Sequence, residues 1–310
     1  VAEGITFGGG AISGAGTNGA TATTGNVDAV AIGNGANASD VGSLALGLNA
    51  NSTSQSDTAV GQSANASGGS SIATGRSANA SGSGSLAQGF NASASGASSI
   101  AQGLSSQSSA NGSIAVGSGS NSASDGSVAI GLTAQTGGSA TNAIAMGTGA
   151  SSTNIGSMAF GAASSATGSG ATALGITAES SGISSTAIGT AASSSGNNAQ
   201  SYGSNSSASG TSSIAMGTQA NSSDNGSVAI GTSTRAEAQN ALALGTRSAA
   251  TGERSVAQGF QSVASGDQSV AIGDRSVVSG DQSLAIGTQN TVSGNNSGAI
   301  GDPNTVTGNE

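Results

Sequence analysis

Twenty glycines of this chain keep a fixed step. From Gly33 to Gly301 each follows the last by 14 residues, apart from one interval of 16 between Gly131 and Gly147. A short period held over most of a chain is the signature of a solenoid, in which each repeat stacks on its neighbours. The positions ahead of each glycine are as regular. Position −2 is alanine in nineteen repeats of twenty, Ser201 being the exception, and position −4 is serine in fourteen. Positions −3 and −1 are large and apolar in fifteen and sixteen repeats, as in Ile114, Val270, Ile130 and Ile188. Large, small, large over four residues is the period-2 pattern of a strand with two unlike faces.

Behind the glycine a weaker alternation puts small residues at +3 and +5, as in Ala64/Ala66 and Ala78/Ala80, and a turn-former follows near +7, as in Gly68 and Gly82. Each coil therefore reads as strand, turn, strand, turn, with about five residues for each strand. The expected fold is an all-β, two-sided parallel roll of about 20 coils. Its interior would be thin, with large residues on one wall facing small ones on the other. Ile114, Ile130, Ile230 and Ile272, and the alanines Ala115, Ala129, Ala229 and Ala271, are assigned to core or subunit packing. The alanine column is expected to form an outward ridge suited to close approach by a neighbouring chain. Alternation alone leaves open which face points to a neighbouring chain. Apolar burial in a lone coil falls short of the entropy of ordering it, which favours assembly.

Composition narrows the function. The 310 residues include 54 glycines, one proline, no cysteine and no histidine, and by count no lysine. A Gly/Ser/Ala linker would have no reason to hold Ile, Val and Leu in phase. Net charge is −9 with 6% charged residues, so no basic stripe is available to displace counterions from nucleic acid. No apolar run has the length needed to span a bilayer, and no direct membrane contact is expected. Without histidine, cysteine or lysine, most general bases and activated nucleophiles are missing. Neither catalysis nor a cofactor nor a metal site is expected.

Segments such as Asn225-Gly226-Ser227-Val228-Ala229-Ile230-Gly231 and Gln268-Ser269-Val270-Ala271-Ile272-Gly273 resemble the repeat of YadA-like heads, which belong to the trimeric autotransporter adhesins of Gram-negative bacteria. The resemblance covers residues 29–310, with residues 1–28 as an N-terminal cap or atypical first coils that keep an echo at Ile5-Thr6-Phe7-Gly8. It implies a left-handed parallel β-roll and a parallel homotrimer, displayed outside the outer membrane on a stalk and anchor. Its implied partners are extracellular matrix or host-cell surface glycoproteins, and sister cells in autoaggregation or biofilm. No stalk, neck or anchor pattern is present, and the last residues stop mid-repeat, so the chain reads as part of a longer array.

Three departures from the repeat stand out. Gln88, Gln102 and Gln258 replace the apolar residue at −1, and each is followed at +1 by a large apolar residue, Phe90, Leu104 or Phe260. The association predicts buried, hydrogen-bonded glutamines beside a swapped apolar residue, in a repacked interior or as a layer at the threefold axis; the alternative is an exposed aromatic contact for a partner. Arg235, Arg247, Arg254 and Arg275 cluster in the sequence among acids, and form either a solvated surface or a ligand patch. The extra pair around Gly137 and Gly138 enlarges one turn, as a tolerated loop or a binding protrusion. In Gln200-Ser201-Tyr202 the motif decays, which predicts a weak coil. The expected function is a surface adhesin head. The alternatives are a spacer carrying a separate binding domain, or an ice-binding solenoid, whose Thr-x-Thr ladder does not recur here at 14 residues.

Overall fold

Each coil turns twice, and both turns rest on backbone conformations that few residues favour. At Gly47 the chain takes φ 137°, and two residues on, Asn49 takes φ 53°; the Ala50 N–H then closes onto the Gly47 carbonyl at 3.2 Å. The second turn repeats the device, with Ser56 at φ 57° and the Asp57 N–H bonded to the Ser54 carbonyl at 3.2 Å. A positive φ at the third residue is what a type II turn demands. Among the described residues, 28 that are not glycine hold φ between 52° and 59°. Isolated residues in this region are strained. Here the conformation aims the N–H along the stacking direction: Asn49 donates to the Asn34 carbonyl at 2.8 Å, and Ser56 to the Val41 carbonyl at 2.8 Å. The ladder between coils therefore runs through the turns as well as the strands.

The same geometry accounts for the invariant glycine. A Cβ on Gly103, at φ 137°, would lie 2.6 Å from the carbonyl oxygen of Gly117 in the next coil. Both the φ and the close approach exclude a side chain.

The computed structural model describes residues 28–309 and the backbone of two earlier strands, Ile12–Gly14 and Thr21–Ala22. It is an all-β parallel solenoid of about twenty coils. Every coil has a three-residue strand such as Ile114–Val116 and a two-residue strand such as Asn121–Ser122, shorter than the five residues expected because the turns take the difference. Two compact units divide the chain, Val1–Ile155 and Gly156–Glu310. In the first, three-residue strands pair in parallel from Ile12–Gly14 to Ile144–Met146, one coil apart, as in Ile114↔Val128. In the second they run likewise from Met158–Phe160 to Gly298–Ile300. A second parallel sheet of two-residue strands closes each unit. Thr21–Ala22 pairs with Asn37–Ala38, so the ladders reach ahead of residue 29. The echo at Ile5–Gly8 lies outside the described residues.

The sidedness of the roll is the reverse of the expectation. Ala115, Ala129, Ala229 and Ala271 are fully buried inside the coil. Ile114, Ile130, Ile230 and Ile272 stand on the outside, Ile230 with 37% of its surface open. The interior is built from the small columns of both sheets at −4, −2, +3 and +5, for example Ser113, Ala115, Ser120 and Ser122. The interior of a coil of three- and two-residue strands takes mostly methyls and hydroxyls; its largest fully buried side chains are Val278, Val292 and Asn290, and no isoleucine is among them. The alanine ridge is therefore core, and the outward apolar columns are Ile, Val and Leu.

Interior serines follow a pairing rule. Where +5 is serine, its hydroxyl meets the −4 serine of the next coil: Ser108 with Ser113 at 2.6 Å, Ser122 with Ser127 at 2.7 Å, Ser222 with Ser227 at 2.6 Å. The buried hydroxyls of Ser85, Ser99, Ser213, Ser255 and Ser269 have no partner among the described residues. In each of those coils +5 is alanine: Ala80, Ala94, Ala208, Ala250 and Ala264. Asp57, fully buried, replaces one −4 serine. Its carboxylate accepts the Ser54 N–H at 2.9 Å and both the N–H and hydroxyl of Ser71 at 2.8 Å.

Candidate functional surface

Two unlike sheets give the roll two unlike outer faces. On the three-residue strands the −3 and −1 columns form a half-exposed apolar band; Leu46, Ile72, Met146 and Met216 each leave about two-fifths of their surface open. On the two-residue strands the +4 and +6 columns are mostly polar, apart from Ala249, Val263 and Val277 at +4 and Ala123 and Gly137 at +6. Asn37, Asn51, Asn65 and Asn79 stack there as an amide ladder, each Nδ2 donating to the next Oδ1 at 2.9, 2.7 and 2.7 Å. Ser39, Thr53, Ser67 and Ser81 run beside them. Sequence reasoning missed this ladder, although its signal was plain: asparagine at four successive 14-residue steps.

The glutamines are not buried in the chain. Gln88, Gln102 and Gln258 lie on the exposed outer face, because −1 points outward. The Gln102 amide donates to Gln88 Oε1 at 3.2 Å. Phe90, Leu104 and Phe260 at +1 are also exposed, so no interior swap takes place. Arg76 lies over the Phe90 ring at 4.2 Å from its centroid, and Arg275 over Phe260 at 5.2 Å. Arg76 was overlooked in the sequence. It shares the +1 column with Phe90 one coil away.

The arginines that cluster in sequence separate in space. Arg235 sits at +4 on the polar face, Arg254 in the turn after +7, and Arg247 and Arg275 in the +2 column with Gln261 between them. Arg235 grips Glu237 through two bonds of 2.6 and 2.7 Å. The hydrogen bond and charge of Glu237 raise the Arg235 pKa, while the Arg235 hydrogen bond chiefly holds the Glu237 carboxyl below its usual range, burial opposing it and the Arg235 charge adding to it. Arg254 pairs with Glu253 at 3.3 Å and Arg275 with Asp274 at 3.1 Å; Arg247 has no ion-pair partner among the described residues. Exposed pairs of this kind contribute little stability. Along the +8 column, Oδ1 of Asp267, Asp281 and Asn295 accepts the backbone N–H of Glu253, Asp267 and Asp281 respectively, each at 2.9 Å.

The two-residue insertion becomes an additional turn. The Ala140 N–H bonds to the Gly137 carbonyl at 3.1 Å and to Ser124 Oγ at 2.9 Å, and Ala140 is buried. Gly138 is exposed, with no atom near the place a Cβ would take. Gln135–Thr136 still pairs with Ser151–Ser152, so the coil absorbs the extra residues without losing register.

The family model described as YadA head domain repeat (2 copies) matches thirteen stretches, ten of them overlapping, which together cover residues 25–50, 52–78, 80–134, 139–192, 208–276 and 279–302. The longest gap, 193–207, contains Gln200-Ser201-Tyr202, and the gap at 135–138 contains the inserted glycines. No match was found among curated proteins.

Proposed function

The chain belongs to the YadA head family of surface adhesins, and from that premise we propose that it is the head of a trimeric fibre on a Gram-negative outer membrane, adhering to host matrix or cell-surface glycoproteins. The observation that carries this reading is the contrast between the two outer faces. An apolar band repeated at every coil belongs against a copy of itself. Completing the burial of each half-exposed Ile, Val or Leu contributes on the order of 1 kcal/mol, repeated over about twenty coils. Three left-handed rolls packed parallel through these bands would leave the polar sheets and the turns facing outward. Receptor contact then falls to the Asn/Ser/Thr columns and to the turn residues Arg247, Arg275, Gly137 and Gly138. Many weak copies of one contact act through avidity, in autoaggregation as on host surfaces.

A second reading has its own observation. The Asn37–Asn79 amides bond to one another, which suits a self-satisfied spacer that carries a separate binding domain. Binding of the full chain to immobilised matrix proteins, epithelial cells and sister bacteria separates the two. The adhesin reading expects binding that collapses when Ser67, Ser81 and Ser95 on the polar face are replaced by arginine. Absence of binding to all three surfaces leaves the spacer.

A further inference from the structure

A face with a fixed period has a difficulty that a varied surface lacks. Sliding one chain past its neighbour by one coil, about 4.8 Å, lays Ile and Val columns on Ile and Val columns again. The apolar contact alone therefore fits many registers almost equally, as in any repetitive strand array.

The outward face breaks this degeneracy in a few places. In the first unit the −1 column reads Val60, Thr74, Gln88, Gln102, Val116, a polar run inside an apolar stripe. In the second unit the −3 column has the corresponding run, Thr172, Thr186, Gln200, and Gln258 interrupts −1 further on. All four glutamines are exposed in the single chain. The Gln102-to-Gln88 bond uses one donor and one acceptor, and leaves the Gln88 NH2 and the Gln102 carbonyl oxygen without a partner among the described residues. Copies in register bring these amides level, where spare donors meet spare acceptors. A one-coil slip sets Gln102 of one chain at the level of Val116 in the next, and buries an amide with nothing to bond. A lone buried asparagine selects register in coiled coils by the same physics.

We propose that Gln88, Gln102, Gln200 and Gln258 are a register key: polar levels in an otherwise self-similar apolar face that align copies of this chain coil for coil. The proposal rests on the trimeric reading above. It assigns the glutamines to partner alignment, and the partner is a second copy of this chain.

The chain has no cysteine, so introduced ones report cleanly. A disulfide needs Cα atoms roughly 4.4–6.8 Å apart, close to one coil step, so each cross-link reads one level offset. Full-length chains carrying single cysteines at successive levels, Val116→Cys and Ile130→Cys at −1, Ile114→Cys and Val128→Cys at −3, are refolded in pairs and oxidised. With the natural glutamines a single offset should account for the interchain disulfides. In a background of Q88V, Q102V, Q200V and Q258V, at least half of the cross-links should move to other offsets while the trimer persists by sedimentation. Valine already occupies −1 at Val60 and Val116, so the fold tolerates it. A valine background that keeps one offset overturns the key and leaves the trimer standing. A trimer that forms no disulfide from either column places the interface elsewhere and overturns it too. A natural chain that sediments as a monomer removes the trimeric reading itself, and the key with it.

Discussion

The two sheets of a coil share an interior and differ outside. Ile114–Val116 and Asn121–Ser122 both turn small side chains inward, Ala115 and Ser122, and these are fully buried. Outward, one presents Ile and Val and the other asparagine. Coil closure constrains the inner columns because there is no spare width. The outer columns are free of that constraint, so one has become an apolar band and the other a polar ladder. Coil closure is written on the inside of this roll, and the outside is left for the partner contacts proposed above.

The sharpest way to break that division is to overfill the inside. Ala115→Leu forces three extra carbons into a closed interior, and should destabilise the first unit by about 3 kcal/mol or more, read as a lowered denaturant midpoint. A leucine at an outward position, Thr74→Leu, should leave the midpoint unchanged or raise it. The apolar band is tested from the other direction. Ile114→Ser with Ile130→Ser should keep the far-ultraviolet circular dichroism of the coils and weaken self-association at least tenfold by sedimentation equilibrium, a cost of about 1.4 kcal/mol. Loss of the β signal would show that the outer face also closes the coil.

Interior polarity comes next. Asp57→Ala strands the Ser54 and Ser71 N–H groups and should cost about 2 kcal/mol, measured by chemical denaturation. Smaller again is the paired against the unpaired serine. Ser113→Ala removes a hydroxyl bonded to Ser108 Oγ and to the Ala110 carbonyl, leaving Ser108 its bond to the Ser113 backbone carbonyl. It should cost about 1 kcal/mol, whereas Ser99→Ala deletes a hydroxyl with no partner among the described residues and should be neutral or slightly stabilising. Equal losses from both would sink the pairing rule. The least effect belongs to the polar face. Since Arg235 depresses the Glu237 pKa, the pair stabilises the fold above the ordinary carboxylate range and loses that contribution as pH falls through it. Both side chains are partly exposed, so the loss should stay within about 0.5 kcal/mol and vanish in high salt. A pH titration of the midpoint with and without Glu237→Gln reads it.

Much of this was legible in the residues. The period, the parallel stack, the alternation and the obligatory glycine all follow from spacing. Sidedness did not, because Ile-Ala-Val states that two faces differ without saying which is inside. The clue lay in counting small columns across both strands: Ser113, Ala115, Ser120 and Ser122 can share a volume only if they all point inward. Once that is seen, the glutamines at −1 must be outside. Asp57 was indistinguishable from the scattered surface acids, since nothing in its neighbours marks a −4 position except the phase of the repeat. The separation of the arginines was likewise a matter of phase: positions +2, +4 and +9 lie on different parts of one coil however close they stand in sequence.

The turn at Gly137 has a consequence for how such a gene can change. Because each coil bonds only to its neighbours, and mostly through backbone, gaining or losing 14 codons returns every surviving junction to the same chemistry. Two extra codons have to be hidden in a loop, as Gly137 and Gly138 are here. Recombination between repeats that differ by whole coils is therefore the change in length this architecture absorbs with least repair.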